Sequence, residues 1–453
     1  MAGEPPPRPK GTRTRIYSIG LVLITVAIIA LVVWVPVILN QEVAVPPPSP
    51  TVGPNVHVDD YATGSGWAGQ FGDDPTVAVA PNGTIAVAWE GLYELAPPST
   101  PEGSPNYTTS IFVSESYDGG QEYSTPQLVG APNTTQAFAP SLAFAPNGTL
   151  FVAYENYSAN PIGEIIVTSA ATGHRFTSLT VAERQESLSE PRIFVLRDGT
   201  VILTFNLLGL VEVAASTNGG QSFPLGTEVA QGIVTGATLW DGDLITLVGL
   251  NTLAEVVTNV TTWSATFNAT GAGSPILGAP GYLTMPDPYF PLNATADAIS
   301  LPGPTVAAAG GLLYLFYATD NETELVVQVS TTYGASWQVA STLLRAANET
   351  FEVPVAQTGL GGKRIVLSWE STQGNFWNTY AALYDVTTGL FSGPTLVSSA
   401  DGFAASVRSW HGYAMGLAIE GSAECVAVWG DGRGLNGAAG LTHIFAATLT
   451  AEF

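Results

Sequence analysis

Between residues 75 and 90 the chain reads PTVAVAPNGTIAVAWE, two short apolar runs of small and β-branched residues on either side of Asn-Gly. Residues 140–155, PSLAFAPNGTLFVAYE, repeat the pattern closely, and residues 191–206, PRIFVLRDGTVILTFN, repeat it more loosely. Runs of this length and composition predict strands, and Asn-Gly or Asp-Gly supplies the positive φ of a tight hairpin. Degenerate copies begin at 236 (GATLWDGDLITLVGL), 304 (PTVAAAGGLLYLFYATD), 354 (PVAQTGLGGKRIVLSWE) and 413 (YAMGLAIEGSAECVAVWGD), which makes seven units.

A second turn follows in most units. Gly120, Gly173, Gly220, Gly334 and Gly389 are 53, 47, 114 and 55 residues apart. The gap of 114 is close to two periods, which places a decayed turn in TNVTTWSAT near residues 258–266. All-strand units with a period of roughly 50 to 57 residues predict radial packing of four-stranded sheets, an all-β, seven-bladed β-propeller, with six or eight blades as alternatives because the fourth unit is weak. The last unit supplies three clear strands, YAMGLAI, ECVAVW and HIFAATL, and VHVDD at 56–60 is available to close the ring as the fourth.

Ahead of the repeats lies a run of another kind. Residues 16–39 carry no charge, and 24 residues make a helix of roughly 36 Å against a hydrocarbon core of about 30 Å. Arg8, Lys10, Arg13 and Arg15 precede the run and Glu42 follows it, so the expected layout is a cytoplasmic tail at 1–15, one transmembrane helix at 16–39, and an extracytoplasmic remainder. The run is longer than the apolar part of a cleaved signal peptide, about 7 to 15 residues. Residues 40–54 are proline-rich and read as a stiff spacer, and 55–453 read as the propeller.

The first 40 residues hold four of the 13 basic residues and one of the 37 acids, which leaves nine against 36 and a net charge of −27 beyond them. Such a surface repels nucleic acid and anionic lipid. Cys425 is the only cysteine, so no intrachain disulfide forms, and its setting in ECVAVW reads as that of a small buried hydrophobe. His57, His174, His411 and His443 are scattered and no paired-cysteine or H-E-x-x-H spacing occurs, so neither a metal nor a cofactor is expected.

Ser116, Asp118, Gly120 and Tyr123 fit S-x-D-x-G-x-x-aromatic, and this turn resembles the Asp box, or bacterial neuraminidase repeat, of sialidases and of other propellers. Partial matches are Ser216, Asn218, Gly220 and Phe223, then Ser330, Thr332, Gly334 and Trp337, with a poorer one at Ser169, Gly173 and Phe176. The resemblance implies a sialidase-like propeller and makes Asp118 a structural residue, its carboxylate accepting backbone amides while glycine takes a conformation closed to other residues. WGDGRG at 429–434 also looks like a W-x-D-x-R run of exported Asp-box propellers, with Asp431 and Arg433 placed to pair across a loop.

Alternating strand direction puts the Asn-Gly turns and the Asp boxes on one face. The resemblance implies a pocket on the other face. Residues assigned there are Trp67, Phe71, Asp73 and Asp74; Glu90 and Tyr93; Glu155 and Tyr157; Glu370, Phe376 and Trp377; and Trp410, Asp431, Arg433 and the insertion 272–303. Aromatic faces beside carboxylates suit sugar rings, and the acids among them are candidates for general acid and base. Glu90, Glu155 and Glu370 also occupy repeat positions, where pairing with a neighbouring blade is the simpler role.

The resemblance implies a pocket with three arginines that clasp the substrate carboxylate, a Tyr-Glu nucleophile pair and an Asp acid/base. No arginine lies in the first blade here, where the resemblance implies F/Y-R-I-P, and PRIF at 191–194 is the nearest echo. Sequons at Asn82, Asn106, Asn133, Asn147, Asn156, Asn259, Asn268, Asn293, Asn321 and Asn348 mark glycosylation candidates. The sequence therefore predicts a single-pass cell-surface protein whose propeller binds glycans or surface proteins without sialidase activity. An Asp-box glycoside hydrolase acting on another extracellular sugar is the alternative, and a membrane-bound assembly factor ranks third.

Overall fold

The computed structural model describes residues 44–59, 67–96, 106–130, 135–158, 163–171, 176–184, 188–224, 226–241, 243–250, 261–268, 281–284, 303–319, 323–344, 350–359, 361–373, 376–399, 402–403, 415–420, 424–431 and 443–451. The chain divides into two units, Met1–Val45 and Pro46–Phe453. The run 16–39 lies outside the described residues, and among those described no helix is long and apolar enough to cross a membrane.

The second unit is a seven-bladed β-propeller. Blade 1 is typical: Trp67–Val79, Ile85–Ala96, Asn106–Ser116 and Gln127–Leu128 pair antiparallel in chain order. The innermost strands of blades 2 to 7 are Thr135–Phe144, Leu188–Val195, Ile233–Trp240, Thr305–Ala309, Glu352–Thr358 and Met415–Ile419. Each neighbours the next and the last meets the first, so together they ring the axis. In blade 6 the outer edge is broken into Leu390–Phe391, Thr395–Leu396 and Gly402–Phe403, all paired with Phe376–Asp385.

Blade 7 has three strands of its own and borrows the rest. Thr51–Val52 pairs with Thr450 and Leu449, and Val56–His57 pairs with Ala446 and Phe445. Val56–His57, within the run 56–60 expected to close the ring, thus pairs with the last strand, and residues 51 and 52, expected in the spacer, join the same sheet. Asn55 also fastens the segment to blade 6, donating from Nδ2 to the Val397 carbonyl at 2.8 Å.

The core lies between blades. Ala86, Ala88, Ile111 and Val113 of blade 1 pack against Ala137, Leu142, Leu150 and Val152 of blade 2, and Val426, Val428 and Ile444 of blade 7 pack against Val87 and Trp89. Second strands are buried on both faces, which explains why AVAW, VAY, LSW and VAVW read as apolar runs rather than alternations. Cys425 is fully buried beside Val366, Leu383 and Leu449.

The two turn types share one face. In the hairpins, the side chains of Asn82, Asn147 and Asp198 accept the amides of Thr84, Thr149 and Thr200 at 3.1, 3.0 and 2.9 Å, and Gly83, Gly148 and Gly199 take φ of 85°, 82° and 86°. In the longer turns, the Ser116, Ser216 and Ser330 hydroxyls accept the amides of Gly120, Gly220 and Gly334 at 2.9, 2.9 and 3.0 Å. Asp118 Oδ1 also accepts the amides of Gln121 and Glu122, Asn218 Oδ1 that of Ser222, and Thr332 Oγ1 that of Ser336. These bonds, led by the Glu122 amide, lower the Asp118 pKa.

Each such turn rests on the preceding blade. A Cβ at Gly220 would lie 2.6 Å from Phe151 of blade 2, Ser264 of blade 4 donates to the Gly334 carbonyl at 2.6 Å, and Thr448 of blade 7 donates to the Gly119 carbonyl at 3.3 Å. Tyr123, Phe223 and Trp337 pack on the cores beneath them. One expectation fails: the decayed turn placed near 258–266 is instead largely strand, because Thr261–Asn268 is the third strand of blade 4, with Trp263 and Ala265 buried in the core. Its threonines and aromatics favour extended backbone over a turn.

Candidate functional site

A cavity of about 270 Å³ runs along the propeller axis, lined by innermost strands from Asp74 in blade 1 to Met415 in blade 7. Three blades reach it through the same device. Asp74-Pro75, Ala139-Pro140 and Glu190-Pro191 each interrupt strand pairing at a bulge, and the residue before proline takes φ of 47°, 49° and 52°. Positive φ is costly for residues other than glycine, on the order of 1 to 3 kcal/mol, and persists only where neighbours enforce it.

For Ala139 and Glu190 the neighbour is a glutamate of the preceding blade. Ala139 donates its amide to Glu90 Oε1 at 2.6 Å, and Glu190 donates its amide to Glu155 Oε1 at 2.5 Å. Both glutamates are fully buried at equivalent positions of their second strands. Burial, then the adjacent Asp74 carboxylate, raises the Glu90 pKa well above its ordinary value, and the two side chains share a hydrogen bond. Burial lifts Glu155 to about 7 against the pull of the Glu190 amide.

Glu190 is enclosed by protein yet keeps part of its surface open to the cavity. Burial lifts its pKa to about 8, with the Arg192 charge opposing and Glu155 adding to the rise. Arg192 also lines the cavity and donates from Nη2 to the Thr235 carbonyl of blade 4 at 3.2 Å. Among the described residues the axis thus presents one guanidinium beside Glu190, a carboxyl that holds its proton near neutrality and can both donate and accept hydrogen bonds.

Of the residues assigned from sequence, Asp74, Glu90 and Glu155 come together around this axis, joined by Glu190 and Arg192. Glu370 is buried in blade 6, its strand position paired with Glu352. Asp431 is buried in blade 7, where its Oδ2 accepts Trp429 Nε1 at 3.3 Å. Tyr157 donates its hydroxyl to the Leu188 carbonyl at 2.6 Å, tying blade 2 to blade 3, and Tyr93 packs on the core between blades 7 and 1. Trp67, Phe71, Asp73, Phe376 and Trp377 sit on strands, but their side chains lie outside the described residues, as do Trp410, Arg433 and the insertion 272–303 apart from its strand Gly281–Thr284 and Gly303. Among the sequons, Asn82 and Asn147 are exposed in turns, whereas Asn156 is buried and donates to Glu164 at 2.5 Å. The side chains at the other seven are outside the described residues.

Glu190 and Arg192 were missed as a pair, although aligning the three repeats places Asp74, Ala139 and Glu190 in one column ahead of proline. A second cluster was missed because sequence distance hides it: His57, Asp59 and His443 meet where the ring closes.

These elements define a seven-bladed propeller, closed by its N-terminal segment, with a polar axial cavity. No family model matches the chain, and no curated protein matches it. Among solved structures, a protein of unknown function from Dyadobacter fermentans DSM 18053 aligns at 14% identity and TM-score 0.51, over 89% of this chain and 100% of that one. The β-propeller domain of the Trilobed protease from Pyrococcus furiosus aligns at 9% identity and TM-score 0.47, over 85% of this chain and 96% of that one. The NanB sialidase from Streptococcus pneumoniae aligns at 10% and 0.46, over 86% and 70%. Similarity at these identities concerns the fold alone.

Proposed function

We propose that the chain is a single-pass cell-surface protein, anchored by residues 16–39 with its N-terminus in the cytoplasm, whose extracellular propeller binds a glycan or a surface protein without cleaving it. The observation that carries this reading is the use to which the acids are put. Glu90 and Glu155 each spend an oxygen on the amide of the next blade, so the groups best placed for hydrolysis maintain the ring instead. Among the described residues Arg192 is the only arginine on the cavity, where a sialidase-type clasp needs three. A cavity of about 270 Å³ with paired donors and acceptors suits one terminal sugar or a small polar side chain.

The hydrolase reading has one specific observation in its favour: Glu190, on the cavity, holds its proton up to about 8, and buried Glu155, which accepts the Glu190 amide, up to about 7. A glycan array on the propeller, residues 41–453, followed by hydrolysis assays on every hit, separates the two. Binding without turnover is the expected result. Turnover abolished by Glu190→Gln would establish the hydrolase, and failure to bind any glycan across a broad array would leave a protein partner.

A further inference from the structure

The four histidines are far apart in sequence, yet the closure of the ring brings two of them onto one carboxylate. His57 Nε2 lies 2.6 Å from Asp59 Oδ1, and His443 Nδ1 lies 3.4 Å from Asp59 Oδ2. One potential ligand atom from each of the three residues falls within 4.8 Å of the others, the only such group among the described residues. We propose that His57, Asp59 and His443 form a binding site for a divalent transition-metal ion of the zinc class, which staples the N-terminal strand to the C-terminal one.

The donor set carries the choice of ion. Two imidazoles and one carboxylate are borderline ligands that favour zinc and its first-row neighbours over magnesium or calcium, which prefer all-oxygen shells. Three protein ligands leave a further position open, and the 22% exposure of His57 against 0% for the Asp59 side chain points that position toward solvent. The Asp59 side chain is fully buried, with both imidazoles converging on it. A buried carboxylate is paired or coordinates a metal, and two imidazoles beside it complete a three-ligand donor set.

The rings are set in place by the fold. His57 stacks on Phe445 with centroids 5.2 Å apart and meets His443 edge-on at 5.0 Å. Val58 donates its amide to the Ile444 carbonyl at 2.9 Å, which locks the register of the loop bearing Asp59 against the strand beginning at His443. A Cβ at Gly72 would lie 3.1 Å from Asp59 Oδ2, so a glycine here leaves the carboxylate its room. Ligation requires the His57–Asp59 contact to open by less than an ångström, to the spacing of two ligands on one ion at about 2.0 to 2.2 Å.

The full chain in detergent, stripped with chelator and titrated with zinc chloride, tests this. One equivalent should bind, and at a hundredfold excess over Kd the melting temperature should rise by about 3 °C for a unit of this size. His57→Gln, His443→Gln and Asp59→Asn should each weaken binding at least tenfold and abolish the thermal shift, whereas His174→Gln and His411→Gln should retain both. Cobalt added to the wild-type chain should give visible bands of a low-coordinate nitrogen and oxygen site, a readout that needs no variant to fold. Absence of stoichiometric zinc binding, absence of those bands, or equal binding by the His57 and His443 variants would show that the three residues are only a hydrogen-bonded clamp.

Discussion

Glu155→Gln isolates the balance on which the axial cavity rests. In the folded chain the Glu155 pKa is lifted from 4.5 to about 7, burial being the main cause. A carboxyl whose pKa is higher folded than unfolded contributes stability below its unfolded value and loses that contribution as pH rises through its folded value. The window here is therefore pH 4.5 to 7. At about 1.4 kcal/mol per tenfold change in proton affinity, the loss across it is roughly 3 kcal/mol. Glutamine keeps an oxygen to accept the Glu190 amide and cannot ionise, so the variant should match wild type near pH 4.5 and exceed it by about 3 kcal/mol at pH 8. Glu190 also loses a repulsive neighbour at high pH, which adds to the gain. Denaturant unfolding of both proteins from pH 4.5 to 8.5 measures the difference. Equal slopes for the two proteins, or a variant less stable than wild type at pH 8, would refute the assignment of Glu155 as a proton-holding carboxyl.

Gly220→Ala should destabilise more than Gly199→Ala in thermal melts, because both glycines have positive φ but a Cβ meets Phe151 at 2.6 Å only at Gly220, while nothing lies within 4 Å at Gly199. The Gly199 change should cost about 1 kcal/mol and the Gly220 change about 2 to 4 kcal/mol. Arg192→Met should cost about 2 kcal/mol through the lost charged bond to Thr235, and should raise the Glu190 pKa further above 8, seen in the Glu190 carboxyl signal by NMR. Deleting residues 44–59 removes the partner of His443–Thr450 and exposes that edge, so the truncated chain should aggregate in light scattering at concentrations where the full propeller stays monodisperse.

The fold was legible because its devices are local. The first three hairpins carry their own Asn-Gly or Asp-Gly, the longer turns after Ser116, Ser216 and Ser330 their own serine and glycine, and the shortfall of one strand in the last unit pointed to residues 56–60. The turn misplaced near residue 263 shows the limit of that reading, since a fixed period was extended over a segment whose own residues favour a strand. The site was legible only in part. Glu90, Glu155 and Asp74 stand out as acids after apolar runs or before proline, but their bonds cross from one blade to the next, and no spacing within a repeat reveals that. Arg192 gains its meaning from Thr235 of another blade, and His57 and His443 from ring closure across nearly the whole propeller.

The central claim is that the propeller holds its ligand without cleaving it. The direct measurement is mass spectrometry of a captured glycan recovered from the propeller after prolonged incubation at pH 5 and at pH 7, with the protein in excess. The account predicts the same mass that went in at both values. A shortened glycan with a newly freed reducing end, absent when Glu190→Gln is used, would contradict it.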